Sequence, residues 1–238
     1  MRKAVFLVVL LAGIGSAAWA EETPWKRKIG VGADSANGNT KNTQGNLSLS
    51  AGKGWSHSEF LSKFNLSYSE TSGAMDGQKW AATARYQLLF GEDDRWFNPY
   101  QVVVDHDKLA DVYVRYLPSV GIGYWLAKSD KCKWSIEDSI GYEVTDYYGK
   151  TTAKTTAMIV RTFLDKLVFE KAHLTEDLSV IPSLEGSGYR IKSETGFSNP
   201  LTKELALTLR YMIDFDSEPA DNKKKTDTRF IAGLDYSF

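Results

Sequence analysis

Apolar residues return at every second position along most of this chain, and no other feature limits its fold so strongly. In "EFLSKFNLSYSE", Phe60, Phe64, Leu66 and Tyr68 alternate with Glu59, Lys63, Asn65 and Ser67. In "KWAATARYQLLF", Trp80, Ala82, Ala84, Tyr86 and Leu88 alternate with Thr83, Arg85 and Gln87. "ELALTLRYMIDF" sets Leu205, Leu207, Leu209, Tyr211, Ile213 and Phe215 against Thr208, Arg210 and Asp214. Successive side chains of a strand point to opposite faces, so a period of two means a sheet with one apolar and one polar face. Thr, Ser, Gly, Tyr and β-branched residues dominate these stretches, which argues against helix.

Twelve such segments can be placed, near 28–35, 42–52, 57–70, 78–90, 96–106, 116–127, 132–142, 155–164, 167–181, 187–198, 203–215 and 227–238. Most match the roughly 9–11 residues that a strand needs to cross an outer membrane. Short links ("KGW", "GEDDR", "KSDK", "DK", "NPLTK") alternate with mostly longer ones ("TSGAMDGQ", "DKLADVYVRY", "EVTDYYGKTTAK", "DSEPADNKKKTD"). That alternation predicts short periplasmic turns and longer outer loops. The expected fold is therefore all-β: a closed antiparallel up-and-down transmembrane β-barrel of about 12 strands. An even strand number puts both termini on the periplasmic side.

The beginning of the chain agrees with export. "MRKAVFLVVLLAGIGSAAWA" has basic Arg2 and Lys3, a short apolar run and a small-x-small site at Ala18-Trp19-Ala20. It reads as a signal peptide, residues 1–20, cleaved after Ala20 and followed by a single barrel domain at 21–238. Without Arg2 and Lys3 the 29 basic residues become 27 against 30 acidic ones, a balance that excludes a nucleic-acid binder. One cysteine, Cys132, allows no intrachain disulfide. No later apolar run reaches the ~20 residues of a spanning helix.

At the other end, "TRFIAGLDYSF" carries Phe230, Leu234, Tyr236 and Phe238 on one parity. It resembles the terminal signal that barrel-assembly machinery reads on outer-membrane clients, so that machinery is an expected partner. A closing strand has to pair with the first one, because lipid cannot satisfy an open edge. Four stretches point to a family. "GADSANGNTKNTQGNLSLSAGK", with Gly38-Asn39-Thr40 and Thr43, then "LTEDLSVIPS", and "YRIKSETGFSNPLTKELALTLRY" with "DSEPADNKKKTDTRFIAGLDYSF" resemble the domain-of-unknown-function 481 family. Its members are often called salt-induced outer-membrane proteins. The resemblance implies a cell outer-membrane β-barrel among lipid and lipopolysaccharide, and it brings no catalytic residues.

The polar parity supplies the candidate site. Taken as inward, it holds Lys28, Lys63, Arg85, Arg161, Lys171, Arg190, Lys192, Arg210 and Arg229 with Asp34, Glu59, Asp105, Glu137, Asp177, Glu194, Asp214 and Asp235. Near-equal numbers of each sign predict a paired network around a narrow or closed path. Asp138 and Glu176 break the scheme by falling on the lipid parity, which calls for a β-bulge or a shifted boundary.

Chemistry has little support. His57 in "SHSEF" superficially resembles the His, Ser and Glu of lipid A deacylases, yet adjacent strand residues face apart. His106 lies between Asp105 and Asp107, a weak divalent-cation pattern. His173 shares a parity with Lys171, Thr175 and Asp177, which suggests a structural hydrogen bond. "YYGKTT" has Val144 where a phosphate loop needs glycine. Lys223, Lys224 and Lys225 could meet lipopolysaccharide phosphates or form a solvated loop. No metal or cofactor is expected. A non-enzymatic barrel leads, with an envelope or osmotic-response role or a narrow path for solutes and ions. A lipid-modifying enzyme and a soluble periplasmic binding barrel are the alternatives, and oligomeric state stays open.

Overall fold

The computed structural model describes residues 24–37, 43–71, 74–108, 110–149, 151–219 and 223–238. The signal segment at 1–20 and the Gly38-Asn39-Thr40 stretch lie outside the described residues. Twelve strands follow one another: β1 (Lys26–Asn37), β2 (Thr43–Trp55), β3 (Ser58–Thr71), β4 (Ala74–Phe90), β5 (Trp96–Asp107), β6 (Val112–Lys128), β7 (Cys132–Tyr147), β8 (Ala153–Val168), β9 (Ala172–Pro182), β10 (Tyr189–Pro200), β11 (Leu205–Asp216) and β12 (Thr226–Ser237). Each pairs antiparallel with its neighbours, and β12 returns to β1, so the sheet closes without an edge. Closure satisfies the backbone groups that lipid could not.

The strands are strongly tilted. One row of paired residues runs Ile29, Leu49, Phe64, Ala82, Val104, Tyr116, Val144, Lys154. It starts near the end of β1 that lies beside the termini and finishes at the opposite end of β8. Rows thus climb away from the terminal end as strand number rises, as barrel shear requires.

Alternation fixes which side chains meet lipid. Val31, Ile122, Ile136 and Ile140 stand exposed on the outer face, while Asp34, Arg85, Glu137 and Glu143 on the opposite parity are buried in the lumen. Aromatic residues band the outer face at both ends, a girdle arrangement that favours the two membrane interfaces. At the terminal end, Trp96 packs on Tyr124 and Tyr236 stacks on Phe238. At the opposite end Trp80 stacks on His106, and Tyr113 packs on Tyr148.

Three expectations change. First, three of the longer links are largely strand: β4 begins at Ala74, β6 begins at Val112, β7 continues to Tyr147 and β8 begins at Ala153. Polar residues such as Arg115 and Glu143 made these stretches look like loops, yet they alternate with Tyr116, Tyr142 and Val144. Second, the turn after β8 falls at 169–171 instead of at Asp165-Lys166, with Phe169 at φ 57°. Lys171 consequently sits exposed in that turn, outside the lumen. Third, the register through Asp138 and Glu176 is continuous, so both carboxylates do face outward. The bulges lie elsewhere, between Ser69 and Glu70, Asp105 and Asp107, Val112 and Val114, and Trp125 and Ala127.

Candidate functional site

The lumen is built from inward side chains long enough to reach strands they do not pair with. Arg85 on β4 donates to both oxygens of Glu137 on β7, at 3.1 and 2.5 Å. Glu137 also accepts from Arg161 on β8 at 3.5 Å, and Arg161 forks onto Asp177 on β9 at 2.6 and 2.7 Å. On the other side Arg85 donates to Gln87 and Gln101, and Gln87 donates to Glu59 on β3 at 2.8 Å. One continuous network therefore runs from β3 to β9. Planar guanidinium groups suit it, because they match carboxylate geometry through two parallel hydrogen bonds.

A second layer lies nearer the loop end. Arg190 on β10 donates to Glu143 on β7, and Arg115 on β6 stands 3.7 Å from Glu143 and 3.8 Å from Asp105. Lys79 on β4 reaches Asp107 on β5 at 3.2 Å and Asp214 on β11 at 3.0 Å. Strands β4 and β11 stand five steps apart in a twelve-strand ring, so the Lys79–Asp214 contact crosses the lumen almost along a diameter. Arg210 on β11 bonds Asn65 on β3 and Asn46 on β2, and Arg229 on β12 bonds Ser67 on β3 and lies 3.7 Å from Asp34.

Apolar side chains also point inward, which the polar-interior expectation missed. Leu89, Phe97 and Trp125 form a buried cluster with Phe163 against it, at the terminal end of the β4–β8 wall. Arg85 stacks over Phe97 and Arg161 over Phe163, at 5.9 and 5.5 Å. Leu117, Ala157, Ile159 and Ile181 form a second cluster between the two ionic layers. Ionic and apolar layers thus alternate along this wall. The β12–β1–β2 wall carries small residues instead, among them Gly30, Gly32, Ser48 and Gly233.

Of the seventeen residues read as inward, Asp34, Arg85, Asp105, Glu137, Arg161, Asp177, Arg190, Asp214 and Arg229 make ionic contacts. Arg210 bonds side-chain amides, and Asp235 accepts weakly from Thr208 at 3.4 Å. Lys63 and Glu194 share the inward parity. Lys171 is excluded by the turn at 169–171. Lys79, Asp107, Arg115 and Glu143 belong to the network although the sequence reading had put them in or beside loops.

The histidines separate. His57, in the turn before β3, lies 3.1 Å from Asp94. His173 bonds Asp165 at 2.7 Å inside the barrel. His106 faces outward, buried against Trp80, with Nδ1 2.7 Å from the Tyr113 carbonyl, so it and Asp105 point to opposite faces. Among the described residues no cluster of metal-ligand side chains occurs. Lys223 lies 3.8 Å from Asp111, across the loop end.

A closed twelve-strand barrel with an apolar outer belt, aromatic rims and a charged lumen defines a porin-like outer-membrane β-barrel. The chain belongs to the family described as "Protein of unknown function, DUF481", whose model matches residues 29–238. No curated protein matches the sequence. Among solved structures the NanC porin is similar with a TM-score of 0.60 at 8% identity, covering 88% of this chain and 100% of its own. The KdgM porin, solved with disordered oligogalacturonate, has a TM-score of 0.51 at 10% identity, covering 89% and 99%. The outer-membrane channel DcaP of Acinetobacter baumannii has a TM-score of 0.50 at 10% identity, covering 90% and 96%.

Proposed function

We propose that this protein is a non-enzymatic outer-membrane channel of narrow bore, passing small ions and small polar solutes, with its termini in the periplasm. The observation that carries the reading is the Lys79–Asp214 contact, which spans the lumen above the Arg85–Glu137–Arg161–Asp177 layer. Both signs interleave along the path, so selectivity between anions and cations is weak. Oligogalacturonate, present with KdgM, is a polyanion. Here Arg85, Arg161 and Arg190 already hold carboxylates, and such a chain would have to displace them. That favours small solutes over acidic oligomers.

The enzymatic alternative finds no assembled nucleophile. The three histidines bond Asp94, the Tyr113 carbonyl and Asp165, and none bonds a serine hydroxyl among the described residues. In this reading the signal peptide is removed after Ala20, and assembly machinery recognises the strand bearing Phe230, Leu234, Tyr236 and Phe238.

Planar-bilayer recording tests the proposal. The wild-type barrel gives small, weakly selective unitary currents, and K79A and R85A each raise conductance several-fold. A wild-type barrel that stays silent, with K79A and R85A silent too, would make it a sealed scaffold instead of a channel.

A further inference from the structure

Two carboxylates, Asp138 and Glu176, face outward within the apolar belt on the β7–β10 side. Asp138 on β7 lies midway between Trp134 and Tyr142, residues of the two aromatic ends, and so sits at mid-depth. Its cross-strand neighbours are Ile122 and Val160, and its neighbours along the outer parity are Ile136 and Ile140, all exposed. Glu176 on β9 also points outward, held by the hydroxyls of Ser193 at 2.8 Å and Thr195 at 2.5 Å on β10. An ionisable group facing hydrocarbon is expensive, and it marks a place where something other than lipid belongs.

The register makes these two positions symmetric. Thr162 on β8 pairs with Ile136 on β7 and Leu178 on β9. Asp138 is two residues beyond Ile136 towards the loop end, and Glu176 two residues before Leu178 towards the terminal end. Rows climb from β7 to β9, so the tilt cancels most of this offset, leaving the two acids within about 3 Å of the same depth. A two-fold axis along the membrane normal preserves depth and exchanges left for right. Passing beside Thr162, it sets Asp138 of each copy against Glu176 of the other.

We infer that the β7–β10 face seats a second copy of this chain, with Asp138 of one copy meeting the Glu176–Ser193–Thr195 cluster of the other at both ends of an isologous contact. At each end the Ser193 and Thr195 hydroxyls are the donors that the two facing carboxyl groups share. A shallow apolar groove beside Asp138, lined by Val120, Ile122, Ile140, Met158 and Leu184, supplies the surrounding packing surface. Self-complementarity in depth and in donors and acceptors favours a second copy over a foreign partner, and among the described residues neither Asp138 nor Glu176 has a cation as its cross-strand neighbour.

Oxidative cross-linking in native outer membranes tests this, in a Cys132→Ser background. T162C, on the axis, is compared with V102C on β5; V160C gives a second probe on β8 whose exposure of 43% equals that of Val102. Heat-modifiable gel mobility verifies that each variant folds. The expected result is a covalent dimer at T162C or V160C several-fold above V102C. Adding D138L abolishes it, whereas D138N keeps it because the carboxamide can donate to Glu176. Equal, background cross-linking at all three positions would overturn the inference, and so would an adduct of a mass other than twice the chain.

Discussion

Arg85 and Lys79 both reach across strands to carboxylates, but their surroundings differ. The Glu137 side chain beside Arg85 is only 4% exposed, whereas Lys79 and Asp214 are 28% and 34% exposed. Removing one partner of a buried ion pair leaves an uncompensated charge, and R85A should lower unfolding stability by about 3 kcal/mol. K79A should cost less, about 1–2 kcal/mol, because water reaches Asp214 although Asp107 is only 15% exposed. Denaturant unfolding in micelles checks the order. If K79A destabilised as much as R85A, the loop-end layer would be structural and not a removable bar across the path. Parity alone made Arg85, Glu137, Arg161 and Asp177 visible as lumen residues. It could not say which of them meet, since Arg85 and Glu137 lie on strands three apart in the ring. Nor could it expose Phe97 or Ile159, whose inward placement shows in sequence only as an unbroken apolar run such as "AMIV" at 157–160, the mark of a strand covered on both faces.

At the scale of an element, the strands were legible and their ends were not. Periodicity places twelve segments, and their bounds depart from the strands where polar strand residues imitate loops, at 112–115 and 143–147, and where Asp165-Lys166 imitates a turn. Asp165 is instead an inward strand residue holding His173. The connection at 183–188 shows what a real loop does here. Glu185 accepts from both the backbone N–H and the hydroxyl of Thr156, and the Leu184 N–H donates to the Thr156 carbonyl. These hydrogen bonds hold the Glu185 carboxyl below its ordinary range. A lowered value in the folded state means that docking is fully favoured above the ordinary carboxylate range and lost as pH falls through the depressed value. Amide exchange at Thr156 should therefore accelerate, relative to its intrinsic rate, on acidification below about pH 4. E185Q should show the accelerated rate already at neutral pH. A Thr156 amide equally protected in E185Q and wild type would remove the role assigned to this carboxyl.

For the whole molecule, closure makes stability cooperative: a barrel that fails at one seam has two open edges in lipid. The β1–β12 seam is the one formed last in chain order, and there Gly32 lies opposite Gly233. A Cβ at Gly233 would stand 2.5 Å from the Val31 carbonyl oxygen and 3.1 Å from Gly32 Cα. Both are backbone atoms of the partner strand, so neither can swing aside as a side-chain tip could. At Gly54 on β2 a Cβ would meet nothing within 4 Å. G233V should therefore lose most of the compact, unheated gel band, while G54A keeps it. The local defect is confined to one residue pair, yet the expected loss is global, because no part of the sheet can stay in the membrane with an edge exposed. A G233V barrel that ran compact and unheated like the wild type would show that β1 and β12 can separate enough to admit a side chain, and the tight seam would then be no requirement for closure.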